Sequence, residues 1–393
     1  MAKLSPLLCA CLFSCAGTSA FDATEDDART PAPSALTAAD FKAPLDRALI
    51  RKSNFFVDDA TFDARWTAAH TDALSFFRAF APAYHLDLAQ VKAAHVPGGE
   101  DLCLGDAHPE NFGFQDLGSG DTIFAPNDFD DSGYCPVAFD ALRFFTALRL
   151  QTGDVALVSD AVDQYVAVLQ DAKAETTVDG ALFPDFAKVH KKQLGKETSG
   201  DKFDLALDPE LGAATAAQKA DVAALLKSDA RFKPWTLLDV AVRSKPDGGS
   251  ADLARLWLLV DHGPTGERTI VELKPEVPAG VEQGRHSKVL RTKTRLATLE
   301  QAFWGDTLAD DQFDVPFEGG RWLVRDRLSR KSISLADLTA AQVRSMVFAE
   351  ASQLALLHAK GLSAVKRPGT GDWLLLSSAT LATRWTNSFA SGK

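Results

Sequence analysis

Apolar residues recur at helical spacing through residues 36–86, most clearly in FDARWTAAHTDALSFFRAF at 62–80, where Ala-rich neighbours strengthen the prediction of helix. Pro97, Gly98 and Gly99 form a turn signal, and residues 101–104 then read as a short strand. Between 104 and 130, Phe, Ile and Gly separate polar residues in the way expected of short strands joined by tight turns. FDALRFFTALRL at 139–150 and the stretch 160–173 predict two helices, and the polar, Lys-, Asp- and Ala-rich residues 174–230 predict helices with loops.

Near Trp235 the period changes. Residues 237–242, 254–260 and 268–274 are three β-like runs, punctuated by Pro-Asp-Gly-Gly at 246–249 and Asp-His-Gly-Pro at 261–264. A long helix is expected over 281–303, a further strand over 321–328, and a second long helix over 339–360 with Gly361 as its C-cap. The apolar run at 373–376 and the tail close the chain. The pattern contains no convincing internal repeat and no low-complexity domain, and it predicts an α+β fold.

The length of 393 residues allows one large or two ordinary domains, and 46% hydrophobic with 24% charged residues is the composition of a soluble globular chain. A net charge of −11 argues against a general nucleic-acid binder, while leaving room for local basic patches. Residues 1–20 read as a secretory signal: Lys3 gives a positive start, residues 4–15 are apolar but too short to span a membrane, and residues 16–20 are small. Residues 8–11 and 12–15 each loosely resemble a lipoprotein cleavage box around Cys9, Cys11 and Cys15, which tilts the expectation from a soluble secreted product toward a lipid-anchored one. A buried N-terminal helix fits poorly, because the acidic, Pro-containing residues that follow read as a flexible tether to about residue 40. Beyond the signal only Cys103 and Cys135 remain, and an oxidising compartment permits a disulfide between them. Two buried free thiols are the other reading, since spacing alone does not bring their Cα atoms together.

The chemistry concentrates in LGDAHPENFGFQDLGSGDTIFAPNDFD, residues 104–130. Asp106 and Asn111 fit one loop, and Asp128 fits the loop after the next hairpin. Two carboxylates and an amide converging in this way form an all-oxygen site of the kind Mg²⁺ prefers. The same loop offers Asp106 as the base for a hydroxyl proton during phosphoryl transfer. The plainer reading is turn chemistry, because Asp, Asn and Gly hydrogen-bond their own backbone.

The spacing favours a site. Gly-Asp-x-His-x-x-Asn followed by Asp-Phe-Asp resembles the catalytic and metal loops of aminoglycoside phosphotransferases and other small-molecule kinases, and GDAHPENFG with NDFDD resembles DUF2252, a bacterial family of uncharacterised function usually grouped with kinase-like folds. The segment around DALSFFRAF resembles the helix that precedes the family's GDAH, with Arg78 on the family's Arg, either as a salt-bridged helix residue or as a contact to a phosphate or to the acidic loop. Asp140 resembles the Asp that braces the catalytic loop in the phosphotransferases, and it lies one turn from Arg143, the spacing of an internal pair. Further on, Gly248, Gly249 and Ser250 before an apolar strand resemble a phosphate-covering loop, and ELKPE with Lys274 resembles the family's LKEA. RWLVRDRL resembles the hinge segment, and LALLHAKGL resembles the helix that feeds the catalytic loop in ordinary kinases.

The resemblance thus implies a two-lobed kinase-like fold in circularly permuted order, covering most of residues 60–365. A helical catalytic lobe spans 41–230, a small β-rich lobe 231–335, and a returning helix 336–393. It implies a phosphotransferase that moves a phosphoryl group from a nucleotide, with ATP and Mg²⁺ as cofactors, to a small-molecule or protein hydroxyl acceptor. Asp106 accepts or orients the hydroxyl proton, His108 orients the loop, and Asn111 and Asp128 hold the metal. Asp130 and Asp131 add a second metal contact or cap the turn. Lys274 grips the phosphates, and Gly248, Gly249 and Ser250 cover them.

The departures are Asp247 and Asp252 where the family has glycines, and Arg291 where it tends to have Glu, with Glu276, Glu282 and Glu300 as substitutes for partnering Lys274. Lys288, Arg291 and Arg295 share one helical face, read as solvated or as an anion site. A signal peptide also leads to a compartment poor in ATP. Two rivals therefore stand: a secreted or lipid-anchored binding protein on an inactive kinase-like scaffold, and a metal-dependent phosphate-ester hydrolase. Gly-x-Ser-x-Gly, Cys-x-x-Cys and His-Glu-x-x-His are all missing, which leaves serine-hydrolase, zinc-finger and zincin readings without support.

Overall fold

The computed structural model describes residues 33–116, 121–244, 253, 255–264, 266–284, 290, 292–304, 312–359 and 369–392. The expected signal and tether up to residue 32, and the phosphate-loop residues Gly248, Gly249 and Ser250 with Asp247 and Asp252, lie outside the described residues, as do Lys288, Arg291 and Gly361. All described residues belong to one unit, Ala32–Lys393.

The chain begins with four short helices, α1 (Arg47–Ser53), α2 (Asp59–Ala69), α3 (Ala73–Ala79) and α4 (Ala81–Leu88). The first three start where an aspartate accepts from an otherwise unpaired backbone N–H: Asp46 from Leu49, Asp58 from Thr61 and Asp72 from Ser75. The single helix expected over 62–80 is therefore two, because the Asp72 cap starts a new helix after His70 closes the previous one.

Four strands follow: β1 (Glu100–Cys103), β2 (Phe112–Asp116), β3 (Thr122–Pro126) and β4 (Gly133–Pro136). β2 and β3 pair as an antiparallel hairpin with Phe112 opposite Pro126. β1 pairs with β4, Cys103 opposite Gly133. Cys103 and Cys135 are disulfide-bonded across this pair, with their Cα atoms 5.9 Å apart. α5 (Val137–Thr152) leaves directly from β4 and ends at Gly153, whose φ of +65° suits a glycine C-cap; α6 (Val155–Gln170) then starts at the Asp154 cap. Val137 to Leu148 are all buried, so α5 is the central helix of the main core.

The stretch expected to be helices with loops contains α7 (Phe186–Glu197) and α8 (Ala216–Ser228), but also β5 (Thr198–Ser199), β6 (Lys202–Phe203) and β7 (Leu211–Ala213). Next come β8 (Thr236–Arg243), β9 (Arg255–Asp261) and β10 (Thr269–Pro275), close to the three predicted runs. The long helix expected from 281 is shorter: Gly280–Gln283 is a 3-10 turn, Gly284 is extended, and α9 spans Thr292–Trp304. β11 (Gln312–Phe317) was not foreseen, whereas β12 (Gly320–Asp326) and α10 (Ala340–His358, started by a Thr339–Gln342 capping box) were; β13 (Arg330–Lys331) and the 22-residue α11 (Thr370–Ser391) complete the chain.

The large sheet runs β11-β12-β10-β9-β8-β7, each neighbouring pair antiparallel. Its two faces differ. Val240, Leu256, Leu258, Val271, Leu273 and Val324 pack on one side with Val222, Leu225 and Phe232 from α8 and the turn after it. The opposite side carries Trp257, Glu272, Lys274 and Arg325. β13 pairs with β2, which ties the end of this sheet region back to the motif hairpin.

The disulfide closes a loop that contains every motif residue from Leu104 to Asp131. Cross-linking a loop of this length restricts the unfolded chain, so Cys103→Ser is expected to lower unfolding stability by about 2–4 kcal/mol. Urea titration checks this: a reductant should lower the wild-type midpoint toward that of the variant and leave the variant unchanged.

Candidate functional site

The motif loop is positioned from beneath by one buried carboxylate. Asp140, in the first turn of α5, accepts hydrogen bonds from Leu104 N–H at 2.7 Å and Gly105 N–H at 2.9 Å. The imidazole of His358, the last residue of α10, lies 3.2 Å from the same carboxylate. Asp140 therefore has the loop-bracing place expected of it. The expected Asp140–Arg143 pair does not form, because Asp140 is saturated by backbone donors and Arg143 points to the loop instead.

Gly105 adopts φ +77°, and a Cβ there would meet the carbonyl oxygen of Asp131 at 1.9 Å. Only glycine lets the two motif loops touch so closely. The Gly105 carbonyl accepts from Nε2 of buried His85 at 2.6 Å. Burial pushes the His85 pKa down to about 4 despite that bond, so the ring is neutral at pH 7 with its proton on Nε2.

Asp106 Oδ1 takes two bonds from the buried Arg143, 2.8 Å from Nε and 2.6 Å from Nη2. Arg143 itself lies against the Phe77 and Tyr84 rings and donates to Phe77 O. Burial acts to raise the Asp106 pKa, but Arg143 and His108 outweigh it and hold the carboxyl well below the usual range. His108 is buried, with Nε2 3.5 Å from Asp106 Oδ2. Asn111 Nδ2 donates to Asp106 O at 2.8 Å, which leaves its Oδ1 as the remaining acceptor. Asn127 N–H bonds Asn111 O at 3.0 Å, so the chain enters Asp128 directly beside Asn111. Asp128 Oδ1 accepts from the N–H of Asp130 at 3.4 Å.

Lys274 of β10 forms an ion pair with Asp130, joining residues 144 apart in sequence. The lysine side chain is 4% exposed. Burial pulls its pKa down to about 8, with the charge of Asp128 acting the other way. Of the glutamates considered as substitutes, Glu276 and Glu282 lie 3.7 and 3.9 Å from Arg295, and the ion pair of Lys274 reaches across to the motif loop. Arg295 is buried beside them, so it does not belong to a solvated helix face. Asp131 accepts from Gly280 N–H at 2.7 Å, and burial together with the nearby Asp106 pushes its carboxyl up to about 7. Arg78 pairs with Glu110 of the motif loop at 2.6 Å, a contact to the acidic loop and not a bare helix ion pair.

Asp106, His108, Asn111, Asp128, Asp130 and Lys274 thus belong to one connected set of contacts. The partners that sequence reading missed are Arg143, His85 and His358. Each is a polar residue inside an otherwise apolar helical stretch, which was the signal available for them.

Residues 58–181 match the family model DUF2252, described as an uncharacterized protein conserved in bacteria. The matched segment includes Arg78, both motif loops and Asp140, while Lys274 and α10 lie beyond it. No curated protein and no solved structure matches the chain.

His85 gives a pH prediction. Its folded pKa of about 4 lies below its ordinary 6.5, so the unfolded chain takes up a proton first as pH falls. The stability His85 contributes is full above pH 6.5 and is lost toward pH 4. Urea titrations of wild type and His85→Gln should show the wild-type advantage shrinking from pH 7 to pH 5, by about 1–2 kcal/mol.

Proposed function

We propose that this chain is a kinase-like phosphotransferase that moves a phosphoryl group from a phosphate donor to a hydroxyl acceptor with Mg²⁺. The observation that carries the reading is the Lys274–Asp130 pair, which sets the lysine of a central β-strand against the acidic loop holding Asp128. A kinase-like small lobe needs two strands, a lysine-bearing third strand, a helix and a strand leading to the hinge. β8, β9, β10 with Lys274, α9, β11 and β12 run in that order. The permuted arrangement is supported by α10, whose last residue meets Asp140, the α5 carboxylate that holds the start of the motif loop, although it comes over 200 residues later. On this reading 41–230 is the catalytic lobe, 231–335 the small lobe and 336–393 the returning segment.

The hard oxygens that would hold Mg²⁺ are the Asp128 carboxylate and the Asn111 amide, whose nitrogen is already committed, while the Asp130 carboxylate is held by Lys274 and would join them only if that pair opened. When bound, the ion supplies charge neutralisation at phosphate oxygens. The chain's own residues do the positioning. Lys274 holds phosphate, and Asp106, fixed by Arg143 and His108, orients the acceptor hydroxyl. The buried Cys103–Cys135 disulfide supports an extracytoplasmic location, secreted, periplasmic or lipid-anchored. Among the described residues no helix is long and apolar enough to cross a membrane.

A second reading is a binding protein on a catalytically inactive scaffold. It is favoured by Asp106, whose depressed pKa makes it a weak base.

Calorimetry with MgATP tests the proposal, with Asp128→Ala alongside. Binding that requires Mg²⁺ and weakens by about tenfold or more in the variant is expected, equivalent to about 1.4 kcal/mol or more. Phosphate transfer or release in a single-turnover assay then separates the enzyme from the inactive scaffold. A folded protein with no Mg²⁺-dependent binding contradicts both the enzyme and a nucleotide-binding scaffold.

A further inference from the structure

We infer that Glu350, Glu110 and Gln151, brought together beside the motif loop, form a binding site for an alkali cation, Na⁺ or K⁺. The site stands whether or not the protein is a phosphotransferase.

The three side chains come from three elements: Glu350 from α10, Gln151 from the end of α5 and Glu110 from the motif loop. Only Gly153 and Asp154 join α5 to α6, so these two helices run antiparallel. Asp160, Gln164 and Tyr165 of α6 pair in rising order with Arg344, Ser352 and His358, so α10 runs parallel to α6. It is therefore antiparallel to α5, with His358 set at Asp140. Glu350 lies two turns before His358, about 12 Å along the axis. Gln151 lies three turns beyond Asp140, about 16 Å along. The two side chains thus arrive within about one turn of the same level. Gln151 Nε2 is 3.4 Å from Glu110 Oε1, and the charge of Glu110 acts on Glu350.

Glu350 is fully buried, and neither of its carboxyl oxygens has a hydrogen-bond partner. A bare carboxylate is unfavourable in such a place. Burial and the Glu110 charge both push its pKa upward, so the group calls for a proton or for a cation. Gln151 favours the cation. The Glu110 carboxylate only accepts, so Gln151 turns its NH₂ group to it, and Gln151 Oε1 is left buried and without a donor. A proton on Glu350 serves one acceptor. An ion serves all three orphan oxygens at once, with Glu110 Oε1 as a fourth.

The charge balance selects the class of ion. Arg78 already neutralises Glu110 at 2.6 Å. One further positive charge balances Glu350, whereas a divalent ion would leave a buried surplus. The Glu110 and Arg78 side chains are 30% and 26% exposed, which opens the cluster to solvent on their side and gives the ion its entry.

Urea unfolding of the full chain at constant ionic strength tests this in KCl, NaCl and choline chloride, choline being too bulky to enter. A site half-filled at about 50 mM lowers the unfolding constant about fivefold at about 200 mM. The wild type should show a drop of that order in KCl or NaCl relative to choline chloride. Glu350→Gln keeps the shape, removes the charge and should abolish the difference, and Gln151→Leu should reduce it. Equal unfolding constants in all three salts overturn the inference and leave Glu350 with a proton only. A difference that persists in both variants puts the ion elsewhere and overturns it too, as does stabilisation by CaCl₂ with none by KCl or NaCl. If Glu350→Gln does not fold, the same salt series on wild type and Gln151→Leu decides.

Discussion

The site depends first on a carboxylate that never reaches it. Asp140 is fully buried and spends its oxygens on two backbone N–H groups of the motif loop and on His358. Those bonds fix where the loop leaves β1, and they join the central helix α5 to the end of α10. With the start of the loop fixed, Gly105 can touch Asp131, and Arg143 on the next turn of α5 reaches Asp106. A buried carboxylate of this kind stabilises only while its partners are in place. Removing one leaves a buried polar group without its hydrogen bond, at a cost of about 1–3 kcal/mol. The loop geometry is therefore bound to the folding of the surrounding core.

The large sheet extends this logic to a second region. One face is an ordinary apolar core against α8, and the other is polar and buried around Glu272. Networks of this kind are fixed by geometry more than by hydrophobic pressure, because each member has a limited set of satisfactory partners. Lys274 lies at the edge of that network and connects it to Asp130, so the sheet and the motif loops meet through paired charges.

Much of this was legible in the sequence and some was not. The motif loops announced themselves by residue type and spacing, and the β8–β10 runs by their alternation and turn residues, so both were placed within a residue or two. Asp140 was assigned its bracing place, but its i,i+3 spacing to Arg143 misled: local spacing predicts a pair only when neither residue has a better tertiary partner, and here both do. The Asp72 cap breaks the helix over 62–80, and the apolar pattern that continues across it conceals the break. β11 hid in a short run broken by Asp314 and Pro316, and α11 carries Ser and Thr on many turns, which blurred its apolar stripe. The partner of Lys274 lay 144 residues away, a distance over which no pattern in one sequence carries information.

The central claim is that the motif loop and β10 form one site. A double-mutant cycle with Asp130→Asn and Lys274→Met, followed by urea unfolding, tests it directly. The account predicts coupling, with the double variant less destabilised than the sum of the single ones by about 1 kcal/mol or more. Additivity within about 0.5 kcal/mol would mean that the two residues do not meet in solution, and would contradict it.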